Sequence, residues 1–276
     1  MRPVVTLKSG IQTSDATYNE STGWNLVAGT GSLSGGDTSL EAISKEQSYV
    51  GYYANLDEDE EPEGIIYADL AIGGSGQWSN SDGAYSYSAI TGTKDYYISE
   101  EDYAGTFGTN GEEIRDVITV MPNSEGAERF YVMALEDFTT ADYSTFYWYY
   151  RAYTNKISDY ASKTSNDFGT GKANTANMIE AWNGEDYGTQ NARDMWGVIQ
   201  DKVAEGWFVP SRGEWGAFGN NLGITKSNYS NYGLSYFCWA SSLSTNNCAW
   251  NASFYDGCML YNDFRNDNCV RLGATF

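Results

Sequence analysis

The sequence predicts an α+β fold, with a β-rich segment over residues 1–113 and a mixed domain over residues 114–276. Three observations carry this. Up to about residue 113, short β segments alternate with Gly, Ser and Asp turns, and no helical periodicity interrupts them. Three helical patterns are then gathered between residues 175 and 222. After Gly233 the β pattern returns, with short strands and long polar loops. Strands, then helices, then strands is the order of an α+β domain.

In the first part, "GIIYADLAIGG" (Gly64 to Gly74) reads as a buried strand, and "GAYSYSAITG" (Gly83 to Gly92) alternates like a half-exposed one. The acidic run Asp57 to Glu61 reads as a solvated loop, because Pro62 stands where a calcium-binding hand needs Gly. In the second part, "DVITVMP" (Asp116 to Pro122) and "RFYVMALEDF" (Arg129 to Phe138) read as strands, and "TFYWYYRAY" (Thr145 to Tyr153) is a further aromatic stretch. The first helix, Thr175 to Asn183, places Met178, Ile179 and Trp182 on one side. The second, Gln190 to Glu205, places Met195, Ile199 and Val203 at four-residue steps. The third has the clearest start: Ser211 to Glu214 fits a capping box behind Pro210. Trp215, Phe218 and Leu222 then share a face, and Gly223 suits the stop. The closing "VRLGATF" alternates Val270, Leu272 and Ala274, as a terminal strand does.

Composition narrows the function. Hydrophobic residues make up 41% and aromatic residues 16% of the 276, enough for a packed core. The aromatic excess is Tyr, with 23 against 11 Phe and 9 Trp, and Tyr gives binding surfaces rigid contact area with a polar tip. A formal charge of −21 repels nucleic acid and anionic membranes, so neither is expected as a partner. No apolar run approaches membrane-spanning length, and "MRPVVTLKSG" lacks the apolar core of a signal peptide. The chain has no His, which removes Ser-His-Asp, Cys-His and His-metal chemistry together.

The remaining motifs carry little chemistry. "DFGTGKANT" (Asp167 to Thr175) approximates a phosphate loop, but the first Gly of that motif falls on Asn166 and Ala173 replaces its Ser or Thr. Cys238, Cys248, Cys258 and Cys269 lie about ten residues apart, whereas structural zinc sites bring ligands in close pairs. No metal and no cofactor is expected, and any disulfide pairing of the four stays open. Glu136-Asp137 and Glu185-Asp186 are acid/base candidates only in the sense that neighbouring carboxylates are common in an acidic chain. The sequons at Asn19, Asn228 and Asn251 are what a Ser- and Asn-rich chain contains by chance.

"GWFVPSRGEWGAFGNNLGI", followed by "YFCWASS" and ending in "VRLGATF", resembles the variable proteins of diversity-generating retroelements. "FYVMALEDF", "NDFGTGKANTANMIEAWN" and "NARDMWGVIQ" are similar to the same group, and the resemblance covers about residues 114–276. It implies a C-type lectin fold, in a branch similar to formylglycine-generating enzymes. It also implies a C-terminal region rewritten by copying a template RNA with errors at adenines. Changes at the adenines of Asn codons reach Asn, Ser, Tyr, Phe, Cys, Asp, Ala, Leu, Thr, Arg and Gly, but not Lys, Gln, Glu, Met or Trp. After Lys226 this chain has no Lys, Gln or Glu.

The resemblance places the variable region at about residues 237–269. It implies ligand contact by Phe237, Cys238, Leu243, Thr245, Asn246, Asn247, Cys248, Asn251, Ser253, Tyr255, Asp256, Cys258, Leu260, Tyr261, Asn262, Asp263, Arg265, Asn266, Asp267 and Asn268. Among the aromatic and Arg residues there, Phe237, Tyr255, Tyr261, Phe264 and Arg265 are candidate anchors, with Phe264 alternatively scaffold. Trp207, Phe208, Trp215, Phe218, Trp239 and Trp250 are expected to be scaffold. The implied activity is non-enzymatic recognition of a macromolecular ligand, a protein or cell-surface molecule, by a protein of a phage particle or bacterial surface. The alternatives are a formylglycine-generating-type oxidase, against which the wide Cys spacing argues, and a structural tail or surface subunit. The Glu-Pro-Asn motif of calcium-dependent sugar binding is absent.

Overall fold

The computed structural model describes residues 17–19, 23–25, 41–42, 44, 46–56, 62–79, 84–90, 96–105, 113–122, 127–150, 162–186, 190–245 and 248–276. The acidic run 57–61 lies outside them. The chain forms two compact units, Met1–Glu41 and Ala42–Phe276. In the first, β1 (Thr17–Asn19) pairs antiparallel with β2 (Gly23–Asn25), Tyr18 opposite Trp24.

The second unit is α+β. The chain enters it through β3 (Glu41–Ala42), which lies beside β8 (Tyr96–Gly105) at one edge of a large sheet. The other members are β4 (Tyr53–Asn55), β5 (Gly64–Asp69), β9 (Glu113–Pro122), β10 (Phe130–Ala134) and the C-terminal β14 (Gly273–Thr275). Among the described residues the order is β14-β10-β5-β4-β9-β8-β3. In this sheet β14 with β10, β10 with β5, β5 with β4 and β9 with β8 are antiparallel, and β4 with β9 is parallel. A boundary near residue 113 was expected, yet β8 and β9 pair along their whole lengths on either side of it. Residues on both sides of 113 therefore share one hydrogen-bonded ladder. A small hairpin of β6 (Gly74–Gly76) and β7 (Tyr85–Tyr87) and a meander of β11 (Phe237–Thr245), β12 (Cys248–Ser253) and β13 (Cys258–Asp263) complete the sheets.

β5 is buried at all six positions and ends at Asp69, short of the expected Gly74. The cause is Asp69 itself. Its carboxylate is buried, accepts from the backbone N–H of Tyr49 and Ala71, and turns the chain out of the sheet. It meets Arg129 side-on, Nε to Oδ1 at 2.7 Å and Nη2 to Oδ2 at 2.9 Å. Arg129 also donates to Ser44 O and Gln47 O, so its charge holds the 44–49 segment against the sheet. The aromatic stretch at Thr145 does not join a ladder. Phe146 and Tyr147 make isolated bridges to Asn268 and Asp194, and Phe146, Trp148 and Tyr149 are buried. Residues 151–153 of that stretch lie outside the described residues.

The helices are α1 (Gly171–Asn183), α2 (Met195–Val198), α3 (Gln200–Ala204) and α4 (Arg212–Asn221). α4 begins as its sequence predicts. Ser211 Oγ accepts from Glu214 N at 3.2 Å and Glu214 Oε2 accepts from Ser211 N at 2.7 Å, which closes the box. Trp215 and Phe218 are buried, and Gly223 takes the left-handed φ of 62° just past the end. α1 starts four residues earlier than expected, because its cap is remote in sequence. Glu214 Oε1 accepts from Gly171 N at 3.0 Å. A Cβ on Gly171 would lie 2.2 Å from Glu214 Oε2, so only Gly fits there. The second expected helix starts later, at Met195, and is divided at Ile199. Asp194 is the reason for the late start. Its carboxylate accepts from Tyr150 N, Asn191 N and Trp182 Nε1, which fixes a turn where a helix was expected.

Burial raises both of these carboxylic acids: Asp194 to about 6 and Glu214 to about 7, against the backbone hydrogen bonds that pull them down. The elevated folded value sets the sign of the pH dependence. Between the unfolded value of about 4.3 and the folded one, the native state holds Glu214's proton and the unfolded chain has released it. Stability therefore falls as pH rises through that window and levels off above it.

Two outcomes are expected. The excess in melting temperature of wild type over Glu214→Gln shrinks between pH 5 and pH 7.5; a constant difference shows that Glu214 does not titrate there. Asp69→Asn leaves the Arg129 charge buried without its partner and lowers the unfolding free energy in urea by about 3–5 kcal/mol. A loss under about 1 kcal/mol would class the pair with exposed ion pairs.

Candidate binding surface

The meander β11–β13 is built over a bulge. Trp239 pairs with Asn251 and Leu243 with Ala249, so three residues of β11, 240–242, stand opposite one of β12. The frame takes up polar groups that the bulge frees. Ala240 O accepts from Trp148 Nε1 at 2.8 Å and Ser241 N donates to Pro210 O at 2.9 Å. Ser242 Oγ accepts from Arg212 N, the first N–H of α4, and donates to Ser165 O. Ser241 Oγ accepts from Asn174 Nδ2 on α1. The short polar residues after Trp239 thus fasten β11 to the starts of two helices.

One side of the meander presents Cys238, Ala252 and Met259 to a core with Trp215, Phe218 and Phe254. The other presents Trp239 and Ala249 to a second core with Trp148, Trp196 and Phe264. A disulfide joins Cys238 to Cys269 across a sequence separation of 31. Closing a loop of that size contributes roughly 3–4 kcal/mol by restricting the unfolded chain. Beside it Asp137 accepts from Arg271 Nε at 2.7 Å, and Arg271 donates on to Tyr232 O and Gly233 O. Asp137, Cys238 and Cys269 are the one close grouping of possible metal ligands among the described residues. They do not fit a metal, since both sulfurs are spent in the disulfide and the carboxylate is spent on Arg271.

What reaches solvent is the β13 edge and the turns at its ends. Tyr261 is 57% exposed and Tyr255 48%. The β12–β13 turn is fixed by Ser253 Oγ donating to Asp256 Oδ2 at 2.6 Å and by Gly257 at φ 68°. The turn after β13 is fixed by Arg265, which donates to both oxygens of Asp263 at 2.8 and 2.9 Å.

Of the residues expected to contact ligand, Thr245, Tyr255, Asp256, Leu260, Tyr261, Arg265, Asn266 and Asp267 are exposed. Phe237, Leu243, Cys248, Cys258, Asn262 and Asp263 are partly buried, and Asn246 and Asn247 lie outside the described residues. Four expectations are corrected, because Cys238, Asn251, Ser253 and Asn268 are buried and present no side chain to a partner. Cys238 is held in the disulfide and Ser253 in the turn. Asn251 faces inward with neither amide atom hydrogen bonded among the described residues, and Asn268 bridges to Phe146. Phe264 is scaffold: it is buried and stacks on Trp148 at 4.6 Å. Of the expected scaffold, Phe208, Trp215, Phe218 and Trp239 are buried, while Trp207 and Trp250 are partly exposed.

No local sequence pattern marks the set of cations around this surface. Lys226 Nζ sits 4.3 Å over the Tyr255 ring, which meets Tyr236 edge-on at 5.9 Å. Arg212 covers Trp250 at 3.8 Å, and Trp250 meets Tyr261 edge-on at 5.8 Å. Arg193 pairs with Asp267 at 3.0 Å. Each is a frame residue distant in sequence from its aromatic or acidic partner, so only the fold brings them together. Tyr236, at 59% exposed, adjoins the expected stretch and was missed because the expected set began one residue later.

Comparison of the chain with family models, with curated proteins and with solved structures yields no match.

Neighbouring aromatic residues give the expected outcome here. Tyr261→Ala changes stability by under about 0.5 kcal/mol, whereas Phe264→Ala lowers it by about 3–5 kcal/mol. Chemical denaturation of the two variants checks the assignment of surface and core, and equal losses would refute it.

Proposed function

We propose that the protein is a non-enzymatic ligand-binding protein with a C-type lectin fold, whose C-terminal surface is diversified by adenine-specific mutagenic retrohoming. One observation carries the reading. The residue types that adenine changes reach occupy the β13 edge and its turns, at Tyr255, Asp256, Leu260, Tyr261, Arg265, Asn266 and Asp267. Two residue types they do not reach, Trp and Met, stand inward at Trp239 and Met259. A rigid frame beneath replaceable exposed residues tolerates rewriting, because exposed substitutions cost little stability. The partner is a protein or cell-surface molecule, met by exposed Tyr and Arg side chains. A phage particle or bacterial surface is the setting, and the Cys238–Cys269 disulfide suits an oxidising environment. No helix among the described residues is long and apolar enough to cross a membrane.

A second reading, an oxidase of the formylglycine-generating type, draws on the same disulfide. Wide spacing in sequence argued against a catalytic Cys pair, but the fold joins Cys238 to Cys269. Both are buried, which disfavours approach by a peptide. An oxidase assay with a Cys-containing peptide separates the readings.

The test of the binding function replaces the seven exposed residues by another Asn, Ser, Tyr and Asp assortment, and measures melting and capture of bacterial cells. The expected result is an unchanged melt with altered capture. Unfolding would make the set core, and unchanged capture would place recognition elsewhere. Sequencing the genomic neighbourhood is the second check, where a reverse transcriptase and a near-copy of the 3′ end of the gene are expected.

A further inference from the structure

Arg193 is held in an unusual way for a surface cation. Its guanidinium carbon lies 4.8 Å from the ring centres of both Tyr143 and Tyr147, so an aromatic ring attends the cation twice. Tyr147 is in turn packed against Tyr150 at 4.9 Å. Nη2 donates to Thr145 O and Thr145 Oγ1, each at 3.1 Å, which uses both of its hydrogens, and lies 3.0 Å from Asp267 Oδ2 as an ion pair. Nη1 has only a 3.4 Å contact with Tyr147 OH. Asp267 thus pairs with Arg193 by charge while the donors of Nη2 go to Thr145, and it sits on a turn of the candidate surface with its side chain 44% exposed.

We propose that Arg193 is a carboxylate-receiving group at the rim of the binding surface. Asp267 is an intramolecular carboxylate that occupies it until an Asp or Glu side chain of a protein ligand displaces it. A ligand carboxylate at Nη1 makes a charge-assisted hydrogen bond that Asp267, ion-paired at Nη2, does not make. The rings of Tyr143 and Tyr147 keep the fork oriented, so the exchange requires little ordering of the side chain. The role for a protein ligand rests on the reading of this surface as ligand-facing, but occupancy of Arg193 by a small carboxylate does not.

The test uses acetate as the probe, at constant ionic strength, on the full chain. The readout is the Arg193 Nε–Hε resonance. Asp267→Asn is expected to respond saturably to acetate, with half-saturation about tenfold lower than wild type, the equivalent of one charge-assisted hydrogen bond. Asp267→Asn combined with Arg193→Lys is followed by backbone amide shifts around residues 143–147 and is expected to show no response. The proposal is overturned if Asp267→Asn binds acetate no better than wild type, or if the response survives Arg193→Lys. It is also overturned if phosphate saturates at lower concentration than acetate, since the group would then be a phosphate site. Asp267→Ser carries the same test should the Asn variant fail to fold. If neither folds, Asp267 is a structural clamp and the proposal falls. Failure here leaves the cell-capture experiment untouched, and failure of that experiment leaves the acetate result standing.

Discussion

Glu214 places a carboxylate in the interior where two helices begin. One oxygen closes the box at the start of α4 and the other takes the first N–H of α1. Buried N–H groups at a helix start need an acceptor. A single side chain supplies it to two helices whose contributing residues are 43 apart in sequence. Burial pushes this acid up to about 7, which in a cleft would suggest acid/base catalysis. Here the group is enclosed and its oxygens are committed to backbone donors, so the shift reflects architecture.

From that node the attachment passes outward. Asp167 O accepts from Ser211 Oγ, and Ser165 O accepts from Ser242 Oγ, so the 162–170 loop, α1, α4 and β11 meet in one polar network. β11 gives up part of its ladder to enter it, and the indoles of Trp148 and Trp215 take the carbonyls left over, at Ala240 and Trp239. The meander is then held on both sides by aromatic cores. Its outer strand and turns carry the exposed side chains, which take no part in holding it.

Legibility from sequence followed the range of each interaction. The start of α4 could be read because cap and acceptor are three residues apart. The start of α1 could not, because Thr170 makes no side-chain cap and the acceptor is Glu214. The strand at Gly64 was visible in its apolar run, but its end is set by the buried carboxylate of Asp69, whose ion-pair partner Arg129 is 60 residues away. In the candidate surface, residue type identified the stretch, and strand geometry then sorted it. Asn251 and Leu260 are opposite each other on adjacent strands, yet one is buried and the other exposed. Two sulfurs that looked isolated at about ten-residue spacing are bonded, while Cys248 and Cys258 are in no disulfide. Arg193, Arg212 and Lys226 carried no local signature at all.

If the protein holds a partner through Tyr261 as proposed, a pull there can peel β13 from β12, but the Cys238–Cys269 bond keeps the chain from paying out beyond those two residues. Cys269 lies four residues before β14, which is paired with β10 in the large sheet. The disulfide makes the gripped segment a closed covalent loop anchored at that point. A pull on that loop is shared between Cys238 in β11 and Cys269 ahead of β14. The element that meets the partner need not itself be strong.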